Sequence, residues 1–265
     1  MNYFIGWDVG GWNCEINPTS RDALVILDQY QNLVGTPWRG NLRKIINASS
    51  SSEEFILSLF ELCDLTFDPQ SAEQVVLSID TPLGFSQSLL DLLIHKQFID
   101  QVEDSASNAY LYRYTERFLF GHGLKPLSPI KDMIGSQATK GMHVLAKFAP
   151  KIIKPGIWSD ENKLLAIEAY PSACKSSEII KELLKPFVIA VTHKTEIGIC
   201  EYHYADELNQ ADKLDALVCA LVGWLHFNKP ELVVQPDGHF RQEEGWIFVP
   251  VDGLTESYNL FFNDN

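Results

Sequence analysis

Two short apolar runs each end in an aspartate followed by glycine-containing turn chemistry. YFIGW runs into Asp8-Val9-Gly10-Gly11, and VVLSI runs into Asp80-Thr81-Pro82-Leu83-Gly84. Strand ends are where sheet proteins assemble metal and phosphate sites, because the backbone is still held while the side chain reaches open space. Glu168 in LLAIEAYP is a carboxylate inside an apolar run; buried and unpaired it would be strongly unfavourable, so it needs a cation or a basic partner. Asp212 and Asp215 lie three apart at the start of ADKLDALVCALVGWLHF. They project from neighbouring points of one helix face, in the positive field of its N-terminus. Converging carboxylates repel one another unless a cation neutralises them, and oxygen donors suit magnesium or manganese. A pair of such ions about 3.5 to 4 Å apart can activate a water and stabilise the leaving oxygen of a phosphodiester. Phosphodiester hydrolysis is the reaction this set serves best. Singly, each aspartate also reads as a turn or helix cap.

The elements that must hold these residues are legible in outline. Residues 3 to 7, 23 to 28 and 31 to 34 read as strands, the last two joined by a hairpin turn at Asp28-Gln29-Tyr30, which makes an antiparallel opening. Ser49 to Ser52 before Glu53 marks a helix start, with apolar positions at helical spacing up to Cys63. VVLSID is a continuous apolar run suited to a strand buried on both faces. From Pro82 to Pro155 the pattern turns helical: one helix around Leu89 to Phe98, the segment from Tyr110 to Phe118, a loop from Gly121 to Pro129 and a helix from Ile134 to Phe148. This reads as an insertion or lid beside the sheet, over about 85–157. Strands resume at LLAIEAYP and FVIAV, an amphipathic helix spans Ala211 to Phe227, and EGWIFVPV closes as a strand. Strands followed by helices, with a hairpin at the front, give an α/β protein with a three-layer mixed sheet, read as one domain over 1–265 carrying the insertion.

Composition narrows the function classes. Charged residues make up 21% and apolar ones 46% of 265 residues, an ordinary globular balance. The opening MNYFIGWDVG enters a strand at once, so no secretory leader is expected, and no apolar stretch approaches membrane-spanning length; a cytoplasmic protein without a membrane partner is expected. Five cysteines without C-x-x-C spacing argue against a disulfide framework and a zinc site. The net charge of −14 counts against nucleic acid as a partner, yet residues 109–155 hold eight basic and two acidic residues. That asymmetry suits an anionic ligand there, and a solvated lysine-rich surface equally.

IGWDVGG, LSIDTPLGF, YRYTERF, AIEAYPSA and DKLDALVCALVGW, in that order and followed by EGWIFVP, resemble a domain-of-unknown-function family of predicted RNase H-like nucleases, over nearly the whole chain. The resemblance implies a ribonuclease H-like sheet with antiparallel leading strands. It also implies an acidic magnesium or manganese site formed by Asp8, Asp80, Glu168 and Asp215, with Asp212 as a fifth member, and nucleic acid, DNA or RNA, as substrate. Trp7 stands where a small aliphatic residue is usual, and Glu116 where an aspartate is common. Arg113 and Arg117, four apart, are candidates to bind substrate phosphate through their guanidinium forks, or else to pair with Glu116 or the acidic cluster. Two other readings compete: a non-catalytic adaptor that keeps the sheet, and an actin-like phosphotransferase. The second is the weaker, because the chain has neither a duplicated domain nor a second phosphate loop.

Overall fold

A computed structural model describes residues 1–68, 71–105, 107–194, 199–236 and 241–254. In chain order the elements are β1 (Asn2–Asp8), β2 (Asp22–Asp28), β3 (Trp38–Gly40), α1 (Arg43–Ala48), α2 (Ser52–Leu62), β4 (Gln74–Asp80), α3 (Gln87–Leu90), α4 (Tyr114–Gly121), α5 (Gly135–Phe148), β5 (Lys151–Lys154), β6 (Ile157–Ser159), β7 (Leu164–Ala169), α6 (Pro171–Cys174), α7 (Glu178–Leu184), β8 (Val188–Lys194), β9 (Ile199–Tyr204), α8 (Ala211–Asn228) and β10 (Ile247–Phe248). The main sheet runs β3-β2-β1-β4-β7-β6-β5, with β10 also on β7. β1 and β2, and β2 and β3, are antiparallel. β4 is parallel to β1, and β7 is parallel to β4.

One face of the sheet packs on α6, α7 and α8, and the other on α1, α2 and α5, so the α/β arrangement with a mixed sheet is present. Local chemistry explains the helices. The Ser51 side chain accepts a hydrogen bond from the Glu54 amide and starts α2, whose Phe55, Ile56, Leu59 and Phe60 are buried on one side. Phe55 stacks on Phe148 of α5 with ring centroids 4.3 Å apart. With Val144 and Leu145 also in this core, α5 is a structural layer of the fold rather than a lid. Gly141 lets α5 come close to the strand end beyond Asp80: a Cβ there would lie 2.5 Å from Thr81 Cγ2. α8 is closer still on the opposite face, where a Cβ on Gly6 of β1 would lie 1.8 Å from the Ala216 carbonyl oxygen.

Several expected elements differ. Residues 31 to 34 form no strand; only a bridge joins Leu33 to Leu27. The cause is Asp28, which accepts hydrogen bonds from the Tyr30 and Asn32 amides and winds a wider turn, with Gln31 at φ 68°. The third strand forms later, at Trp38–Gly40. The helix expected near Leu89 is a short α3 that continues as one π turn, Asp91–His95, and stops at Lys96 with φ 57°. FVIAV becomes β8, which pairs with β9 alone. Only Ile247–Phe248 of EGWIFVPV is strand. No helix among the described residues is long and apolar enough to cross a membrane.

Candidate functional site

Asp8 and Asp80 end neighbouring parallel strands and are direct register partners. Their side chains therefore leave the sheet side by side on the same face, about 4.8 Å apart at the backbone. That face carries α8. Since Gly6 touches the Ala216 carbonyl, Asp215, the residue before Ala216, comes to Asp8, two positions beyond Gly6 on the same side of the strand. The sequence placed these three carboxylates in one cluster, and the structure brings them together.

Glu168 is adjacent but turned away. Its register partner on β4 is Ile79, not Asp80, and alternation along a strand sends it to the opposite face. There Arg113 receives it: Nη2 lies 2.6 Å from Oε1 and Nη1 lies 2.8 Å from Oε2, while the Leu83 amide donates to Oε2 at 2.9 Å. Arg113 also donates through Nε to Glu116 at 2.7 Å and through Nη1 to the Glu244 carbonyl at 2.9 Å, and its Nη2 lies 2.6 Å from Glu116 Oε1. Arg113, Glu116 and Glu168 are all buried. Burial opposes charge on the guanidinium, but the two glutamates outweigh it and raise its pKa.

The structure thus corrects the phosphate-binding assignment of Arg113. Its fork is spent on two internal carboxylates, and Glu168 has the basic partner that its burial required. Arg117 joins none of the site carboxylates; its Nε is buried without a hydrogen-bond partner.

Asp212 is also engaged. The N-cap of α8 is Gln210, and Asp212 Oδ2 accepts from Arg39 Nε at 2.7 Å and from the Arg21 amide at 3.0 Å, tying α8 to β3. Asp215 has a looser partner: Lys175 Nζ is 2.8 Å from Oδ1 as an ion pair, off line for a hydrogen bond, so that oxygen is buried without a donor. Among the described residues, no side-chain hydrogen bond or ion pair reaches Asp8 or Asp80.

The electrostatic consequence is strong. Burial, then Asp80, Asp215, Asp212 and Asp22 push the Asp8 carboxyl well above the usual carboxylate range. Burial, then Asp215 and Glu168 push Asp80 up to about 8, against the pull of Lys175. A cleft of about 190 Å³ opens over these ends, with Asp8, Asp80, Thr81, Gln137 and Tyr170 in its walls. Thr81 is buried, and its hydroxyl has no hydrogen-bond partner.

Sequence reading missed the polar support beneath the site. Asp22 is fully buried and accepts from Trp7 Nε1 at 3.1 Å, from the Gly10 amide at 2.8 Å and from the Leu42 amide at 2.6 Å. The buried Lys140 of α5 pairs with it and reaches the Gly10 carbonyl at 3.2 Å. This pair fixes the turn that follows Asp8, and it explains why Trp7 precedes it: the indole supplies one of the donors Asp22 requires. Asp22 opens an apolar strand and Lys140 lies 118 residues away, so no local spacing links them.

Among the described residues, no group of three or more His, Cys, Asp or Glu side chains is arranged to hold a metal ion. The donors present nonetheless fit one kind of ion. Magnesium is commonly held by one or two carboxylates, with waters and substrate phosphate completing its shell. Asp8 and Asp80 are such a pair, oxygen-only and without a protein donor among the described residues. No family model, curated protein or solved structure matches the chain.

Proposed function

We propose that the protein is a divalent-metal-dependent phosphodiester hydrolase of ribonuclease H-like architecture acting on nucleic acid. Asp8 and Asp80 would hold magnesium or manganese, with Asp215 beside them. The observation that carries this reading is the pair of register-matched carboxylates at the ends of β1 and β4, raised in pKa by burial and by neighbouring carboxylates, with no side-chain hydrogen bond or ion pair to either among the described residues. Such a pair is costly as two bare charges and is relieved by a cation. A bound ion supplies charge neutralisation at phosphoryl oxygens and a lowered pKa for water.

The chain's own residues do the rest. β1 and β4 hold the two carboxylates rigidly, and the Asp22–Lys140 pair locks the turn beyond Asp8. Thr81 offers an unpartnered hydroxyl in the wall of the cleft. The Arg113 cluster ties Glu168 to Glu116 and to the Glu244 carbonyl, fixing the walls rather than touching phosphate. Three antiparallel leading strands followed by parallel β4 and β7 support the ribonuclease H-like reading. Nucleic acid is supported by charge: with the buried Arg113, Lys140 and Glu116 set aside, 109–155 still has six basic residues and one acidic one, the kind of excess that attracts phosphate.

The test is a panel of single strands, duplexes, RNA–DNA hybrids and branched junctions, incubated with magnesium or manganese. Cleavage by the wild type that is lost on chelation and in both Asp8→Asn and Asp80→Asn is the expected result. No cleavage of any substrate, or cleavage that survives in both variants, overturns it.

A further inference from the structure

Lys175 is absorbed by nothing described so far, yet its charge sits on the acidic cluster. It follows Cys174 at the end of α6, the short helix that begins two residues beyond β7 with Pro171 at its first position. The ring of Tyr170 anchors this entry, its hydroxyl donating to the Lys125 carbonyl at 2.7 Å. From there the ammonium reaches to 2.8 Å from Asp215 Oδ1, with 49% of the lysine side chain and 20% of the aspartate exposed. The contact lacks hydrogen-bond alignment and leaves Oδ1 buried without a donor. It is a charge parked beside a carboxylate, unlike the aligned two-point grip that Arg113 has on Glu168.

We propose that Lys175 is the internal counter-ion of the Asp8–Asp80–Asp215 cluster, and that a divalent cation entering the cluster displaces its ammonium from Asp215. This rests on the metal-dependent reading above and adds to it the residue that sets ion affinity. Three features make the exchange possible. The lysine is half exposed, so its long side chain can swing into water. The contact is off line and its lysine half exposed to water, and ion pairs with a solvated partner contribute little to stability, so releasing it costs little. A divalent ion held between Asp8 and Asp80 would also repel the ammonium beside them, whose charge already acts on Asp80. The pairing also suits the resting state: it places one positive charge among carboxylates that would otherwise repel each other, and it withdraws when a stronger cation arrives. Thr81, which follows Asp80 and also lines the cleft, is buried with an unpartnered hydroxyl.

The experiment measures manganese affinity of the full chain by calorimetry and, independently, by the electron paramagnetic resonance signal of free manganese. It compares wild type, Lys175→Gln and Lys175→Arg, with circular dichroism melts confirming that each is folded. Removing the competing charge should tighten binding in Lys175→Gln by about ten- to thirtyfold, the scale of one unit charge roughly 4 to 6 Å from a divalent ion in bulk water. Lys175→Arg, which keeps the charge, should stay within about twofold of wild type. A residue that only braces α6 against α8 would leave the affinity unchanged or weaken it on substitution. Equal or weaker binding by Lys175→Gln therefore overturns the role of Lys175 and leaves the metal site standing. Absence of binding in all three proteins overturns both.

Discussion

Arg113→Met strands Glu116 and Glu168 in the interior without their cation. Removing one member of a buried ionic group costs about 3–5 kcal/mol, and urea denaturation should show a loss of that size. Arg113→Lys should recover only part of it, because an ammonium cannot make the parallel two-point contact. Asp80→Asn should do the reverse in a chelated sample: removing a carboxyl that its neighbours repel should raise stability by about 1 kcal/mol while abolishing metal dependence, as is usual where a site is strained for function. Titration carries the same information. Asp80 titrates near 8 in the folded chain against about 4 when unfolded, so between those values the folded state holds the extra proton. Stability in the absence of divalent ions should therefore fall as pH rises from about 5 to 8, and Asp8, shifted the same way, steepens the fall. A melting series in chelator that rises or stays level over that range would contradict this.

At the scale of elements, α8 and its seat on β1 decide where the carboxylates meet. Gly6→Ala forces a methyl against the Ala216 carbonyl and the Ala220 amide, backbone that cannot rotate aside. Overpacking of this kind costs about 2–3 kcal/mol or more, and because it lifts the start of α8 it should weaken manganese binding as well; calorimetry on the folded variant reads both. α8 was plain in the sequence because its apolar spacing is long and unbroken, and the structure places it one residue from the expected end. β1 and β4 were equally plain, since buried parallel strands read as continuous apolar runs ending at their polar tips. The orientation of Glu168 was not. Its face depends on which residue of β4 it opposes, and a shift of one position reverses it. For Arg113 the sequence left two outcomes open, substrate phosphate or an ion pair with Glu116 or the acidic cluster; the structure has the second, with Glu116 three residues away and Glu168 55. FVIAV read as a strand and is β8, whereas its partner β9, Ile199–Tyr204, was not read from the sequence, and pattern alone does not say which sheet a strand joins. The helix α1 has one fully buried residue, Ile46, too little periodicity to show.

Across the whole molecule, a net charge of −14 repels polyanions, so under the proposed nuclease reading nucleic acid would have to draw on the exposed basic residues of 109–155 and on ions at the cleft. Association with a single-stranded oligonucleotide should accordingly be weak in chelator, strengthen with magnesium, and fall steeply as monovalent salt rises; fluorescence anisotropy gives all three. The acidic cluster itself is the point on which the account turns. Its most direct test is thermal unfolding at pH 7.5 during titration with magnesium or manganese, for wild type, Asp8→Asn and Asp80→Asn. A ligand that binds only the folded state raises the melting temperature with concentration. The wild type should be stabilised progressively through the millimolar range and each variant should lose that response, whereas an unchanged wild-type melting temperature, or equal stabilisation of all three proteins, would contradict a metal site at Asp8 and Asp80.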